Sequence, residues 1–202
     1  MFIVCSDLEG VFTPEVWISV AERTGIEELR LTTRDIADYD ELMRRRLAIM
    51  DRHGLKLADI TAVIEEMPLL DGALAFMDRL RERVPVIVVS DTFDQFAAPL
   101  MRKLGRPTLF CHTLTIDAAG RIADYNLRQA DAKRRTVEAL ASMNYRVVAM
   151  GDSYNDIQML QAAERGILFR PPPNVIAEFP EFPVTHAYDE LEKVLTDIFD
   201  RA

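Results

Sequence analysis

Short apolar runs, each ending at polar residues, set the strongest limit on how this chain folds. They are Phe2–Cys5, Val84–Val89, Arg146–Met150 and Gly166–Phe169, with a shorter candidate at Pro183–Thr185. Each is too brief for a helix and rich in β-formers, the pattern of a strand buried on both faces. Between them lie amphipathic helical patterns at Gly72–Arg83, Phe93–Leu104, Lys133–Met143, Ile157–Ala163 and Tyr188–Arg201. Strands alternating with helices predict an α/β fold, a parallel sheet with helices on both faces.

One region breaks the alternation. From Pro14 to Pro68 there are helical patterns (Glu15–Thr24, Asp38–His53, Lys56–Glu66) and no convincing strand. This predicts a small helical insertion at 14–69 between the first strand and the rest of the sheet, with 1–13 and 70–202 forming the core. Phe110–Asp124 reads as two extended pieces around a turn at Ala118–Gly120. Pro171–Asn174, "PPPN", reads as a loop after the fourth strand.

With 202 residues, 49% of them hydrophobic, the chain can bury a full core. A net charge of -9 argues against general affinity for nucleic acid or an anionic membrane, though not against a local basic site. No stretch approaches the ~20 apolar residues of a membrane span, and the start MFIVCSD lacks the basic region of a secretion signal. A cytoplasmic protein is expected. Two cysteines, Cys5 and Cys111, cannot make a disulfide framework, and Cys5 reads as a small buried thiol.

Ligands in open parallel sheets collect at the carboxyl ends of strands. After the first run come Asp7 and Glu9; after the second come Ser90, Asp91 and Thr92; after the third comes GDSYND, with Asp152, Asn155 and Asp156. Lys133 opens a predicted helix ahead of the third run. Taken singly, each has an ordinary explanation: Asp7 a turn residue, Ser90 the N-cap of a helix Asp91–Leu104, Asp152–Asp156 a capped helix start, Lys133 a solvated charge. Together, at one edge of one sheet, they fit metal-assisted phosphoryl transfer. Asp7 and Asp152 offer hard oxygen ligands for Mg²⁺. Ser90 and Lys133 suit phosphate oxygens. A carboxylate can attack phosphorus to form an aspartyl-phosphate, and a second group must serve the leaving alkoxide as acid and the acceptor as base. Glu9, two residues from Asp7, suits that role, because an extended segment puts both on one side.

"DLEG", Ser90 after its strand, Lys133 and "GDSYND" resemble the four motifs of the haloacid dehalogenase superfamily, and the chain is most similar there to phosphoserine phosphatases. The resemblance runs from the first strand to "RPPPNVI". It implies a Rossmann-like core with a helical cap inserted after the first motif. Mg²⁺ would be held by Asp7, Asp152 and the Glu9 backbone carbonyl. Arg46, within "MRRRLAIM", would meet the substrate carboxylate, and Glu15 would meet its ammonium, with Asp91 near. Asn155 would contact the phosphate or nucleophile, and Asp156 would order metal waters or Lys133. The chain departs from the usual Asp-x-Asp-x-Thr at Glu9 and Val11, and from the usual Ser-Gly-Gly at Asp91 and Thr92. The "DLEG" form resembles the bifunctional phosphoserine phosphatase/phosphoserine:homoserine phosphotransferase branch, which implies phosphoserine and homoserine as small-molecule partners. A homodimer is a further expectation.

Three rivals remain at this point, one of them a catalytically inert binding relative, against which stand Asp7, Lys133 and Asp152, all present. A phosphatase for another small phosphomonoester would have no use for Arg46 and Glu15. A signalling receiver module shares the Asp, Ser/Thr and Lys chemistry but gives the helical insertion and Glu9 no purpose. His53, His112 and His186 fall in no metal-ligand spacing and read as surface or core residues. Trp17, Met43, Met50 and Met67 read as packing of the inserted helices.

Overall fold

The computed structural model describes residues 1–32, 35–36 and 38–200. Its seven-stranded sheet has the order β4-β3-β2-β1-β5-β6-β7. The strands are β1 Phe2–Ser6, β2 Val86–Phe93, β3 Thr108–Ile116, β4 Ile122–Asn126, β5 Arg146–Gly151, β6 Arg165–Phe169 and β7 Val184–Thr185. All neighbours pair in parallel except β3 and β4, the hairpin foreseen around Gly120.

Strand side chains alternate between faces, and the two halves of the core follow that alternation. Val4, Val88, Val148 and Ile167 point to the face covered by α4 (Ala73–Arg83), α5 (Asp94–Lys103) and α9 (Tyr188–Asp200). Ile3, Cys5, Ile87, Val89, Val147, Ala149 and Leu168 point to the other, covered by α6 (Ala132–Ser142), α7 (Ile157–Ala162) and α8 (Pro173–Glu178). Cys5 is fully buried in this second layer. No helix among the described residues is long and apolar enough to cross a membrane.

Residues 14–69 carry α1 (Val16–Thr24), α2 (Tyr39–His53) and α3 (Leu57–Glu66), with a 3-10 turn at Glu27–Arg30. Trp17, Met43, Met50, Ile60, Ile64 and Met67 join the same apolar cluster as Phe96 and Leu100 of α5, so this region packs directly over the sheet's carboxyl edge. The side of α2 facing β4 is tied by Arg44–Asp124 at 2.8 Å and by Tyr125 donating to Asp40.

Two local expectations are corrected. β2 continues through Ser90, Asp91 and Thr92, so Ser90 is a strand residue, and the following helix begins only at Asp94. "PPPN" does not remain a loop: α8 starts at Pro173, where a proline's fixed φ and missing N–H cost a helix nothing. Arg201, the predicted end of the last helix, lies outside the described residues.

Candidate active site

β1 sits at the centre of the sheet between β2 and β5, and the turns leaving these three strands meet above it. One pocket there is lined by Asp7, Glu9, Glu15, Arg46, Ser90, Asp91, Thr92, Lys133, Asp152 and Asn155, together with Trp17 and Tyr39. Asp156 lies fully buried just beneath. Every candidate catalytic, binding or metal-holding residue read from the sequence is therefore in or against one cavity.

β1 ends at Ser6, and the chain turns at once. The Asp7 N–H still bonds the Met150 carbonyl of β5 at 3.0 Å, while Phe12 N–H returns to the Leu8 carbonyl at 2.8 Å. Asp7 and Glu9 share the pocket through this tight turn, not through an extended segment. Gly10 makes the turn possible at φ +76°, a region where side chains are strained. The Asp7 Oδ1 atom accepts the Leu8 N–H at 2.8 Å and lies 3.0 Å from Lys133 Nζ. Lys133, on the first turn of α6, is buried and also pairs with Asp156 Oδ1 at 2.7 Å, with Asp91 Oδ2 at 3.6 Å. The other oxygen of Asp156 accepts the backbone N–H groups of Asp152 and Ser153, fixing the loop after β5.

One ammonium faces too many carboxylates. Burial, with Asp156 beside it, pushes Asp7 well above the usual carboxylate range despite Lys133. Burial alone would strip Lys133 of its proton, but Asp156, Asp7 and Asp91 hold that proton firmly. Asp7, Asp152 and Asp156 each present an oxygen within 4.8 Å of the others. Such a buried, surplus-negative set of hard oxygens fits a small divalent cation.

Glu9 is the second carboxylate. Its Oε2 accepts the Val16 N–H at 2.7 Å, which caps the start of α1. Burial and nearby Glu15 raise it to about 8, well above the range of a free glutamate. Asn155 lines the same pocket, and its Nδ2 donates to Asp91 Oδ2 at 3.0 Å.

Arg46 reaches the pocket from α2. It is 6% exposed, and its guanidinium lies 4.5 Å from the centre of the Trp17 ring. Nη2 donates to the Leu31 carbonyl at 2.8 Å, whereas Nε is buried with no hydrogen-bond partner. Burial lowers Arg46 to about 10, so it remains a cation at neutral pH. Sequence reasoning missed two supports. Trp17, read as packing, is also the platform for Arg46. Tyr39, which carried no signal, lines the pocket and donates to the Asp91 backbone carbonyl at 2.8 Å.

The model of haloacid dehalogenase-like hydrolases matches residues 7–164, from the nucleophile candidate to the residue before β6. The chain belongs to the haloacid dehalogenase-like hydrolases. Among relatives, it is 59% identical over 191 residues to a phosphoserine phosphatase of Pseudomonas syringae pv. tomato, covering 95% of this chain and 81% of that one. It is 57% identical over 193 residues to phosphoserine phosphatase ThrH of Pseudomonas aeruginosa, covering 96% and 94%. A solved phospho-aspartyl intermediate analogue of a phosphoserine phosphatase superimposes with TM-score 0.76 at 21% identity, covering 96% and 98% of the two chains. At that identity the superposition speaks for the fold. In this chain the chemistry-bearing residues converge at the carboxyl edge of the sheet.

Proposed function

We propose that this chain is a Mg²⁺-dependent phosphoserine phosphatase that works through an aspartyl-phosphate at Asp7 and also passes the phosphoryl group to homoserine. The observation that carries the substrate reading is Arg46, a buried cation with an orphaned Nε in the same pocket as Asp7 and Lys133. Among the described residues it has no carboxylate ion pair, and a planar donor fork of this kind suits a carboxylate from the substrate. Glu15, in the lining of the same pocket, offers the complementary charge for an ammonium. A sugar phosphate would satisfy neither.

Mg²⁺ would be held by Asp7 and Asp152 with the Glu9 backbone carbonyl, Asp156 supporting, and would screen phosphate against the attacking carboxylate. Ser90 and the amides after it hold phosphate oxygens, and Lys133 neutralises them. Asp7 attacks phosphorus while Glu9, protonated at neutral pH by its raised pKa, gives its proton to the serine oxygen. Glu9 then takes the proton from the acceptor as the Asp7–phosphate bond breaks. Residues 14–69 act as a cap whose helices shield the phosphoenzyme from bulk water, and homoserine, longer than serine by one methylene, binds under that cap by the same head group.

The similarity to the two Pseudomonas relatives supports the phosphatase half. The transferase half rests on the "DLEG" resemblance. Incubation with Mg²⁺ and phosphoserine, with and without homoserine, tests both. Free phosphate and phosphohomoserine are the expected products. Neither product would end the proposal, and phosphate alone would remove the transferase half.

A further inference from the structure

The proposed chemistry gives no role to His112, which is buried beside it at 3% exposure. Its position follows from an irregularity in the sheet. Val89 pairs with Phe110 and Phe93 with His112, so β2 takes four steps where β3 takes two. The bulge carries Ser90, Asp91 and Thr92 out of the ladder and aims Asp91 at the pocket. His112, on the adjacent strand, reaches back to it: Nε2 is 3.7 Å from Asp91 Oδ1. On the other side of the ring, Nδ1 accepts the Arg128 backbone N–H at 3.1 Å. An imidazole that accepts on Nδ1 carries its proton on Nε2, the nitrogen that faces Asp91. The rings of Tyr39 and Phe93, centred 6.2 and 6.3 Å away, hold the imidazole in that orientation.

Asp91 passes the constraint on. It accepts the Asn155 amide at 3.0 Å and stands 3.6 Å from Lys133 Nζ, which touches Asp7 at 3.0 Å. His112 does not line the Asp7 pocket; it lines the adjoining cavity with Asp91, Lys133 and Asn155. We infer that His112 is a positioning residue for phosphoryl transfer, fixing Asp91 through Nε2 so that Lys133 and Asn155 stay placed beside Asp7. This rests on the reading of Asp7 as phosphoryl acceptor. Without the Nε2–H, the Asp91 carboxylate is free to swing toward Lys133 and draw the ammonium from the nucleophile. A side chain that merely filled the core would affect melting alone.

Steady-state kinetics at saturating Mg²⁺ on phosphoserine and on p-nitrophenyl phosphate separate these roles. His112→Asn keeps an acceptor for Arg128 but falls short of Asp91, whereas His112→Gln places an N–H near the Nε2 position. We expect His112→Asn to lower kcat by about tenfold to a hundredfold, the scale of a small misplacement of reacting groups. KM should change by less than about twofold, the mark of an interaction used in the transition state. Gln should restore most of kcat, and His112→Asn should cost nothing further in an Asp91→Ala background. A kcat near wild type, no advantage of Gln over Asn, or an equal loss in both backgrounds would overturn the inference. Should His112→Asn fail to fold, His112→Phe removes the same N–H while keeping a ring against Tyr39 and Phe93, and the same outcomes apply. Wild-type turnover of p-nitrophenyl phosphate but not phosphoserine would overturn the substrate reading alone, with His112 then judged on the former. Turnover of neither would overturn both.

Discussion

Gly10 and Asp152 fit against each other because Gly10 has no side chain. Any Cβ at Gly10 would be driven onto the Asp152 carboxylate, and its φ of +76° would be strained as well. The first and last acidic turns of the site thus meet at a glycine, and the arrangement predicts its substitution. Gly10→Ala should displace Asp152, raise the Mg²⁺ concentration needed for half-maximal activity and lower kcat by more than about tenfold. Gly25 supplies the control, since its φ is +70° but nothing lies within 4 Å of a Cβ there. Both alanines should lose about 1–3 kcal/mol to backbone strain and melt earlier. Only Gly10→Ala should lose activity; similar activity losses in the two would show that Asp152 placement is not what Gly10 protects.

Arg46 presents a sharper test of substrate identity. Arg46→Lys keeps a charge over Trp17 but loses the planar fork, and charged hydrogen bonds of this kind contribute about 1.5–3 kcal/mol. KM for phosphoserine should therefore rise by about tenfold to a hundredfold. Turnover of p-nitrophenyl phosphate, which has no carboxylate, should stay close to wild type. Trp17→Leu should shift KM in the same direction by less, because a cation–π contact contributes about 0.5–2 kcal/mol. Equal loss on both substrates would assign Arg46 to folding instead.

Glu9→Gln isolates the proton transfer. Removing a general acid and base typically costs about a hundredfold to ten-thousandfold. The loss should fall on phosphoserine, whose serine oxygen needs a proton to leave. Formation of phosphoenzyme from p-nitrophenyl phosphate should be much less affected, since nitrophenolate leaves unprotonated. Dephosphorylation should slow with either ester, so that the phosphoenzyme formed from p-nitrophenyl phosphate accumulates in acid-quenched samples. A variant equally slow in forming phosphoenzyme from either ester would remove Glu9 from the proton-transfer role.

What was legible in the sequence follows from the range of the forces involved. β1, β5 and β6 are apolar because both faces are buried, so their ends, and with them Asp7 and Asp152, could be placed by pattern. The apolar pattern of β2 stops at Val89, although the strand continues through polar Ser90, Asp91 and Thr92, where the bulge replaces regular pairing. Three prolines read as a break and hide α8, although Pro173 sits at the one turn that tolerates it. The contacts that tune the site left no local trace. Tyr39 to Asp91, Trp17 to Arg46 and His112 to Asp91 join distant segments, and each side chain alone reads as ordinary packing.

The clamp between α4 and α9 gives a stability prediction independent of catalysis. Arg79 Nε donates to Glu192 Oε1 at 3.1 Å and Oε2 at 2.9 Å, Nη2 donates to Oε2 at 2.7 Å, and the guanidinium holds that carboxyl below its usual range. A carboxylate whose pKa is lowered by folding stabilises the fold above its unfolded pKa of about 4.3 and loses that contribution as pH falls through the lowered value. The pair is partly exposed, 45% and 33% at its side chains, so solvent screening keeps its contribution small. Glu192→Gln should lower Tm by about 1–4 °C at pH 7 for a chain of this size. As pH falls through that lowered value the difference should vanish, because the wild-type carboxylate then becomes protonated too. A Tm gap that persists unchanged at low pH would mean that Glu192 contributes through packing, and that the ion pair with Arg79 does not stabilise the clamp.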